Sequence, residues 1–317
     1  MYDIIGDIHG HAQKLEALLL QMGYVPEGEG YRAPQGRQAV FLGDLIDRGP
    51  HQLRVLQIVR RMVDAGHARC IMGNHEFNAI GWATPDPAQP GQALRAHSPK
   101  NLAQHAAFLE QVSEGSALHA ELIEWFRTLP PFLDLGGIRV CHAWWDPERI
   151  AYLGERFWDS SGARMCDAFL VDAHRKPSRA YDAIEGVCKG LELKLPGLSY
   201  FVDHEGHKRT DVRCRWWNHE AQTYRDYAIV GPGPADDVPD DALPTGHPAP
   251  ALDGAPVFVG HYWMDGTPKV QSTKLACLDF SAAKSGPLAA YRWDGESELS
   301  DDKLVWANVP APSSERG

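Results

Sequence analysis

Short apolar runs alternate with amphipathic stretches along the first 75 residues of the chain. The runs at residues 2–6, 38–43 and 69–73 have the length and composition of buried strands. Residues 11–22 and 50–66 carry apolar side chains at helical spacing and stop at a glycine, which predicts two amphipathic helices. Strands that alternate with helices in this way predict a sheet covered by helices.

The later part of the chain repeats the strand pattern less regularly. Four more strands are predicted, at residues 138–142, 256–261, 275–280 and 288–293. We expect one domain over residues 1–317 with two insertions, a loop and helical segment at about 84–130 and a cap-like segment at about 151–256. The acidic, Pro-rich end of the second insertion, from residue 231, is predicted as a mobile linker, and the tail from about residue 310 as disordered.

Composition excludes several classes of function. The chain has 317 residues, 44% of them apolar, and a net charge of −11, which argues against general nucleic-acid binding. A phosphate ligand stays possible, because bound divalent ions can dominate the local charge. The six cysteines are scattered, so neither a disulfide framework nor a thiolate zinc site is expected. No basic leader or membrane-length apolar stretch is visible, and we expect a cytoplasmic protein without membrane contact.

Polar side chains suited to metal binding follow five of the predicted strands. Because strand ends of an open α/β sheet share one rim, we expect these side chains to converge. Asp7 and His9, two residues apart, can point the same way and hold one metal. Asp44 can bridge two ions with its two oxygens. The full set of candidate ligands is Asp7, His9, Asp44, Asn74, His142 and His261.

The types of ligand in this set limit the choice of metal. Imidazole and oxygen donors without thiolate favour manganese, iron, zinc or nickel. The alternative explanation is that each Gly-Asp or Gly-Asn is a turn and each histidine a satisfied core residue. Turns alone explain poorly why five such clusters each close a strand. The sequence therefore favours a metal centre.

Three motifs resemble the signature of calcineurin-like metallophosphoesterases, in the branch of PPP-type phosphatases and symmetrical diadenosine tetraphosphatases. They are Gly-Asp-Ile-His-Gly at residues 6–10, Gly-Asp-Leu-Ile-Asp-Arg-Gly at 43–49 and Gly-Asn-His-Glu at 73–76. The resemblance covers residues 1–76, 140–142 and 257–293 and hardly reaches the insertions. It implies an α/β fold, a four-layer α-β-β-α sandwich of two mixed sheets.

The resemblance also implies two divalent metal ions, with manganese the first choice. Asp7, His9 and Asp44 would hold one ion. The second ion would be held by Asp44, Asn74, His142 and His261. One departure is the pair Trp144-Trp145 after His142, where relatives usually have small residues, which puts inherited substrate assignments in doubt.

Three further residues are assigned to the reaction, an in-line attack by a metal-bridging hydroxide. His75 would be the general acid to the leaving oxygen, with Asp47 orienting it through the other ring nitrogen. Arg48 would bind two phosphate oxygens. The alternative for Asp47 and Arg48 is a local ion pair at the start of a helix.

Residues of the second insertion offer weaker candidates. Arg213 and Arg215 alternate on one strand-like run and could complete phosphate binding, although a solvated face is the favoured interpretation. Four tryptophans could stack on a base, with buried packing the commoner outcome. They are Trp144, Trp145, Trp216 and Trp217.

We therefore expect a hydrolase of phosphate esters or anhydrides acting on a small phosphorylated substrate, with nucleotide types such as dinucleoside polyphosphates favoured. The alternatives are a PPP-like protein Ser/Thr phosphatase, a phosphodiesterase, or a binding scaffold that has lost its chemistry. A scaffold without catalytic activity would require the loss of metal ligands, and all six candidate ligands are present.

Overall fold

The computed structural model describes residues 1–202, 206–230, 237–248 and 252–308, and all statements below concern these residues. The helices are α1 (Ala12–Gln21), α2 (Gln52–Asp64), α3 (Asn74–Ala83), α4 (Pro99–Val112), α5 (Ala117–Phe126), α6 (Pro147–Arg156), α7 (Asp167–Ala173), α8 (Arg179–Lys189) and α9 (Tyr224–Tyr227). The strands are β1 (Tyr2–Ile5), β2 (Val25–Glu27), β3 (Gly30–Arg32), β4 (Gln38–Phe41), β5 (Ala68–Cys70), β6 (Phe132–Asp134), β7 (Arg139–Cys141), β8 (Glu192–Lys194), β9 (Phe201–Val202), β10 (Lys208–Arg209), β11 (Asp211–Arg213), β12 (Val257–Val259), β13 (Leu275–Cys277), β14 (Leu288–Trp293) and β15 (Leu304–Ala307).

Two mixed sheets form the centre of the molecule. The first has the order β15-β14-β1-β4-β5. In it, β1, β4 and β5 are parallel and β14 and β15 antiparallel to their neighbours. The second has the order β13-β12-β7-β6, with only β6 antiparallel to its neighbour. The predicted strands are confirmed, whereas β2, β3, β6 and β15 are too short or too weakly patterned to be seen in the sequence.

Alternating side chains divide the two sheets into layers. Ile4 and Val40 of the first sheet share one buried apolar cluster with Val140 and Phe258 of the second, so these faces pack together. Ile5 and Phe41, the next residues along β1 and β4, belong to a second apolar cluster, which also contains the apolar faces of α1 and α2. The opposite face of the second sheet is covered in the same way by side chains from the α6–α8 region. The expected four-layer sandwich is confirmed.

The second predicted insertion supplies much of that outer layer. The Val187 carbonyl on α8 accepts the N–H of Ala143 at 2.8 Å, directly after the second sheet's β7. Leu153, Ile184 and Trp216 are buried in the larger core cluster. The segment is therefore built into the core, which its amphipathic pattern alone could not reveal. Residues 231–236 and 249–251 of the predicted linker, and the predicted disordered tail from about residue 310, lie outside the described residues.

No helix of the described part of the chain is both long and apolar enough to cross a bilayer.

Candidate metal centre

The loops after β1, β4, β5, β7 and β12 bring the six predicted ligands to one buried rim. None of the six is more than 8% exposed. Asp44 lies at the centre, with its Oδ2 3.6 Å from His9 Nε2 and 3.3 Å from His142 Nε2. One ligand atom each of Asp44, His142 and His261 lies within 4.8 Å of the others. The convergence expected from the sheet topology is therefore present.

Asp7 and Asn74 join this group through backbone contacts. The Oδ2 of Asp7 accepts the N–H of His261 at 2.9 Å. Asn74 is the first residue of α3, and the N–H of the following His75 donates to Asp44 Oδ1 at 3.0 Å. Neither Asp7 Oδ1 nor Asn74 Oδ1 has a hydrogen-bond partner, although both are buried. A buried polar atom without a partner is costly, so these oxygens need something to bind.

The ligand loops have strained backbones that other loops hold in place. His9, Asp44 and His261 have positive φ values of 46°, 48° and 69°. Such conformations persist only where the surroundings enforce them, and they cluster at functional sites. The Asp44 carbonyl accepts the N–H of His9 at 2.9 Å, which ties the first two loops together.

The Glu76 carboxylate holds the loop that carries Asp44 in place through hydrogen bonds to backbone N–H groups. Its carboxylate accepts the N–H groups of Asp44 and Leu45 at 2.8 Å each and of Gly73 at 3.0 Å. Burial and the Asp44 charge raise the pKa of Glu76 to about 7, while the three N–H donors favour its charged form. With both oxygens engaged, Glu76 supports the site and caps α3.

The imidazole orientations explain why a cation fits here. His9 and His142 each place Nδ1 against a backbone carbonyl, of Ile46 at 2.9 Å and Leu42 at 2.6 Å. With Nδ1–H donating, the Nε2 lone pair of each neutral ring faces Asp44 Oδ2. Lone pairs facing a carboxylate repel each other unless a positive charge lies between them. Either a proton or a metal ion must therefore occupy this space.

The pKa directions agree with this requirement. Burial and the Asp279 charge raise the pKa of Asp7 well above its usual range, so without a cation its charge is unfavourable. Burial lowers the pKa of His261 and brings that of His9 to about 3, which keeps both rings neutral. For His142 burial opposes the charge, but Asp44 and Asp7 raise its pKa to about 10. The donor set suits divalent ions that accept imidazole and carboxylate together.

His75 takes part in a second arrangement at the edge of the site. Its Nδ1 lies 2.5 Å from Asp47 Oδ2, and its Nε2 lies 3.9 Å from Asp44 Oδ2. Burial works against its charge, but Asp44 and the Asp47 hydrogen bond raise the pKa of His75 overall. One ligand atom each of His9, Asp44 and His75 also falls within 4.8 Å of the others. Geometry alone therefore permits His75 either as a proton donor or as a ligand.

His105 of α4 is a residue that sequence reasoning missed. Its Nδ1 lies 2.8 Å from Asp47 Oδ1, so Asp47 is held between two imidazoles. Burial opposes the charge of Asp47, but hydrogen bonds from His105 and His75 lower its pKa to about 2. No sequence signal marked His105, because it lies on an insertion helix 58 residues after Asp47.

Arg48 is exposed, with a positive φ of 70°. The proposed local ion pair with Asp47 is absent from the described structure, because both Asp47 oxygens are taken by histidines. Its guanidinium is close enough to lower the pKa values of His9 and His75. Arg48 is thus an exposed cation close to two of the histidines of the candidate site.

The interpretation of Arg213 as part of a solvated face is wrong. Its side chain is only 17% exposed, whereas Arg215, two residues beyond the end of β11, is exposed. Its Nε and Nη1 are buried without a hydrogen-bond partner, and Glu192 lies 3.7 Å from Nη2. The Arg213 charge contributes to the low pKa of His261. A buried guanidinium with unpaired N–H groups beside a candidate ligand is suited to bind an anion.

Of the four tryptophans considered for base stacking, three are buried and one is half-buried. Trp144, Trp145 and Trp216 are buried, and the Trp216 indole donates to the Ala143 carbonyl at 3.0 Å. Trp217 is half-buried and packs edge-on against Tyr262, with 4.9 Å between ring centroids. These four side chains stabilise the fold around the second sheet.

Comparison with known proteins identifies the architecture. A model of the calcineurin-like phosphoesterase family matches residues 2–202. An asymmetrical bis(5'-nucleosyl)-tetraphosphatase PrpE from Oceanobacillus iheyensis is 31% identical over 138 residues, which are 44% of this chain and 53% of that protein. The PrpE of Bacillus velezensis is 41% identical over 147 residues, 45% of this chain and 55% of that one. The chain thus spans about half the length, or less, of the first curated relatives it matches.

Among solved structures, the cold-active protein-tyrosine phosphatase of a psychrophilic Shewanella species superposes with a TM-score of 0.50. The two sequences are 19% identical, and the superposition covers 92% of this chain and 75% of the Shewanella chain. This likeness concerns the fold alone. Because the family model matches well over half of the sequence, the chain belongs to the calcineurin-like phosphoesterase family.

Proposed function

From this membership we propose that the chain is a dinuclear-metal-dependent hydrolase of phosphate esters or anhydrides. The observation that carries the proposal is the arrangement around Asp44, where the Nε2 atoms of His9 and His142 face one carboxylate oxygen at 3.6 and 3.3 Å. Such an arrangement requires a positive charge between the rings and the carboxylate.

In this proposal Asp7, His9 and Asp44 hold one divalent ion, and Asp44, Asn74, His142 and His261 hold the other. Four orphaned atoms support the set: Asp7 Oδ1, Asn74 Oδ1, His142 Nε2 and His261 Nε2. When bound, a pair of divalent ions supplies Lewis-acid stabilisation of the phosphoryl oxygens and a water of lowered pKa. Manganese is our first choice, because the set mixes imidazole with oxygen donors and lacks thiolate.

The His75–Asp47 pair supplies the proton for the leaving oxygen. Asp47 accepts from Nδ1 of His75 at 2.5 Å, which fixes the tautomer and directs Nε2 toward the candidate metal ligands. Burial opposes the charge of His75, but Asp44 and the Asp47 hydrogen bond raise its pKa overall, which favours the protonated ring that a general acid needs. A general acid positioned in this way is typically worth about 10²–10⁴ in rate.

Arg48 and Arg213 orient the phosphate. Among the described residues, the shortest ion-pair contact of either guanidinium is the 3.7 Å between Arg213 and Glu192. A planar guanidinium can donate two parallel hydrogen bonds to a phosphoryl group. The two arginines thus compensate locally for the overall charge of −11.

A nucleotide-type substrate, such as a dinucleoside polyphosphate, is favoured over a phosphoprotein or a phosphodiester. The support is that the curated relatives are named bis(5'-nucleosyl)-tetraphosphatases. The exposed arginine at the mouth also suits a small anion, since such a group needs only a few donors.

The decisive experiment compares the wild type with His75→Ala on two substrates, with manganese supplied. We expect the variant to lose far more activity on phenyl phosphate than on p-nitrophenyl phosphate, whose leaving oxygen needs little protonation. Equal losses on both substrates would remove His75 from the acid role. A wild type that binds manganese but turns over neither substrate would support a silent scaffold instead.

A substrate screen then separates the candidate activities. It includes diadenosine tetraphosphate, bis-p-nitrophenyl phosphate and a phosphoserine peptide. We expect the highest kcat/KM for the dinucleotide. A higher value for the peptide or the diester would replace the substrate proposal by the corresponding phosphatase or phosphodiesterase activity.

A further inference from the structure

Trp263 stands out among the aromatic residues of the described structure. It follows His261 by two positions and its side chain is 44% exposed. Its φ of 47° lies in the left-handed region, which bulky L-residues rarely adopt. Strain of this kind persists only where the surrounding structure enforces it, and it often has a functional reason.

Asp279 enforces the conformation of this segment. Its buried Oδ2 accepts the N–H of Trp263 at 2.9 Å, and its carbonyl accepts the N–H of Met264 at 2.8 Å. The Oδ1 of Asp279 accepts a third N–H, that of Ser281, at 3.0 Å. The backbone at residue 263 is thus held in place, and much of the side chain it carries faces solvent.

Its neighbours place the indole at the rim of the metal centre. The ring centroid lies 6.3 Å from that of His261, with 37° between the planes. The guanidinium of Arg213 lies over the ring at 4.8 Å, so one face is covered by a cation. The exposed surface therefore adjoins both a candidate metal ligand and an arginine suited to phosphate.

We propose that Trp263 is the stacking platform for the nucleobase of a nucleotide whose phosphate is bound at the metal centre. This inference rests on the proposed function and specifies its substrate class. Stacking requires only a π-face on the ligand, so the platform accepts purines without reading their edges. Arg213 connects the two parts of the proposed site, because its guanidinium lies over the indole and its Nε and Nη1 have no hydrogen-bond partner.

A pair of ligands that differ only in the base tests this directly. AMP and ribose 5-phosphate both carry a sugar phosphate, and only AMP can stack. Calorimetric titration of the manganese-loaded protein gives both Kd values without any turnover. For the wild type we expect AMP to bind about 5- to 150-fold more tightly than ribose 5-phosphate, the range typical of one stacked base.

Three variants locate the effect. Trp263→Leu keeps an apolar cover on Arg213 but removes the π-face. For this variant we expect the ratio of the ribose 5-phosphate Kd to the AMP Kd to fall close to one. Trp263→Phe keeps a ring and should retain most of the difference between the two Kd values. Trp306→Leu is the matched control, since Trp306 is 39% exposed and pairs with Ala289 in the first sheet, on strand β15. The control should match the wild type.

Two results would overturn the inference. One is a wild type that binds AMP and ribose 5-phosphate with nearly equal Kd values. The other is a difference between the two Kd values that Trp263→Leu leaves unchanged. Turnover of p-nitrophenyl phosphate is measured in the same preparations. If turnover is absent while the base-dependent difference in Kd persists, the proposed hydrolase fails and the stacking site stands.

Discussion

Replacing Gly260 by alanine tests the position of Asp7, a candidate ligand that packs directly against this glycine. A Cβ at residue 260 would lie 2.0 Å from Asp7 Oδ1 and 3.0 Å from its Cγ. Non-bonded contacts below 3.0 Å are essentially never seen for Cβ atoms, so the carboxylate oxygen must retreat by about 1 Å (3.0 − 2.0). The hydrogen bond from the His261 N–H to the same carboxylate would be disturbed as well.

The size of the effect follows from that displacement. Metal–ligand distances tolerate deviations of only about 0.2 Å, so a shift of about 1 Å takes Asp7 out of the coordination sphere. A misplacement of about 1 Å in an active site can cost about 10²-fold in rate. Overpacking of a dense site costs about 1–3 kcal/mol of stability. We therefore expect Gly260→Ala to fold with a lowered Tm, bind less than its full metal complement and lose about 100-fold in kcat/KM.

Metal content by mass spectrometry, p-nitrophenyl phosphate turnover and a thermal melt measure these three quantities. The matched control is Gly154→Ala in α6, where the nearest atom to a new Cβ is Phe132 Cζ at 3.8 Å. Alanine is a better helix former than glycine, so this control should gain up to about 1 kcal/mol and keep its activity. If Gly260→Ala keeps full metal content and turnover, Asp7 is not a ligand in the position described.

Three further outcomes are expected. Asp44→Asn should lower metal content and reduce turnover by more than about 100-fold, and full activity after manganese is restored would contradict its bridging role. His105→Ala leaves one oxygen of Asp47 without its buried donor, so we expect a loss of about 1–3 kcal/mol in urea denaturation. It should also cause a larger loss of kcat on phenyl than on p-nitrophenyl phosphate; proportional losses would make His105 purely structural. Hydrogen bonds from Lys303 and Arg37 lower the pKa of Asp294 to about 2. Because this folded pKa lies below the ordinary 3.8, the ion pairs stabilise the protein above that pH and are lost as the pH falls through about 2. Asp294 is partly exposed, so Asp294→Asn should cost only about 0.5–1 kcal/mol at pH 7 and progressively less as the pH falls from 3.8 through about 2, and a difference that does not shrink over this range would contradict this.

Local sequence determined the scaffold and the candidate ligands. Apolar runs of strand length predicted β1, β4, β5, β7, β12 and β14 within a few residues. Because strand ends share a rim, the residues that follow them were expected to meet, and the six do. Their role in metal binding stays a prediction. Each of these inferences needed only a strand and the few residues after it.

Contacts between the insertions and the rim were decided by the tertiary structure. His105 reaches Asp47 across 58 positions, and the Arg213 side chain is only 17% exposed and lies over the Trp263 ring, 50 positions along the chain. Three of the four tryptophans considered for stacking are buried and Trp217 is half-buried, whereas the exposed indole at the rim is Trp263. The physical reason is that a side chain's burial and partners depend on how distant segments pack together. Local periodicity determines on which face of a helix or strand a residue lies. The packing of remote segments determines which side chains contact that face.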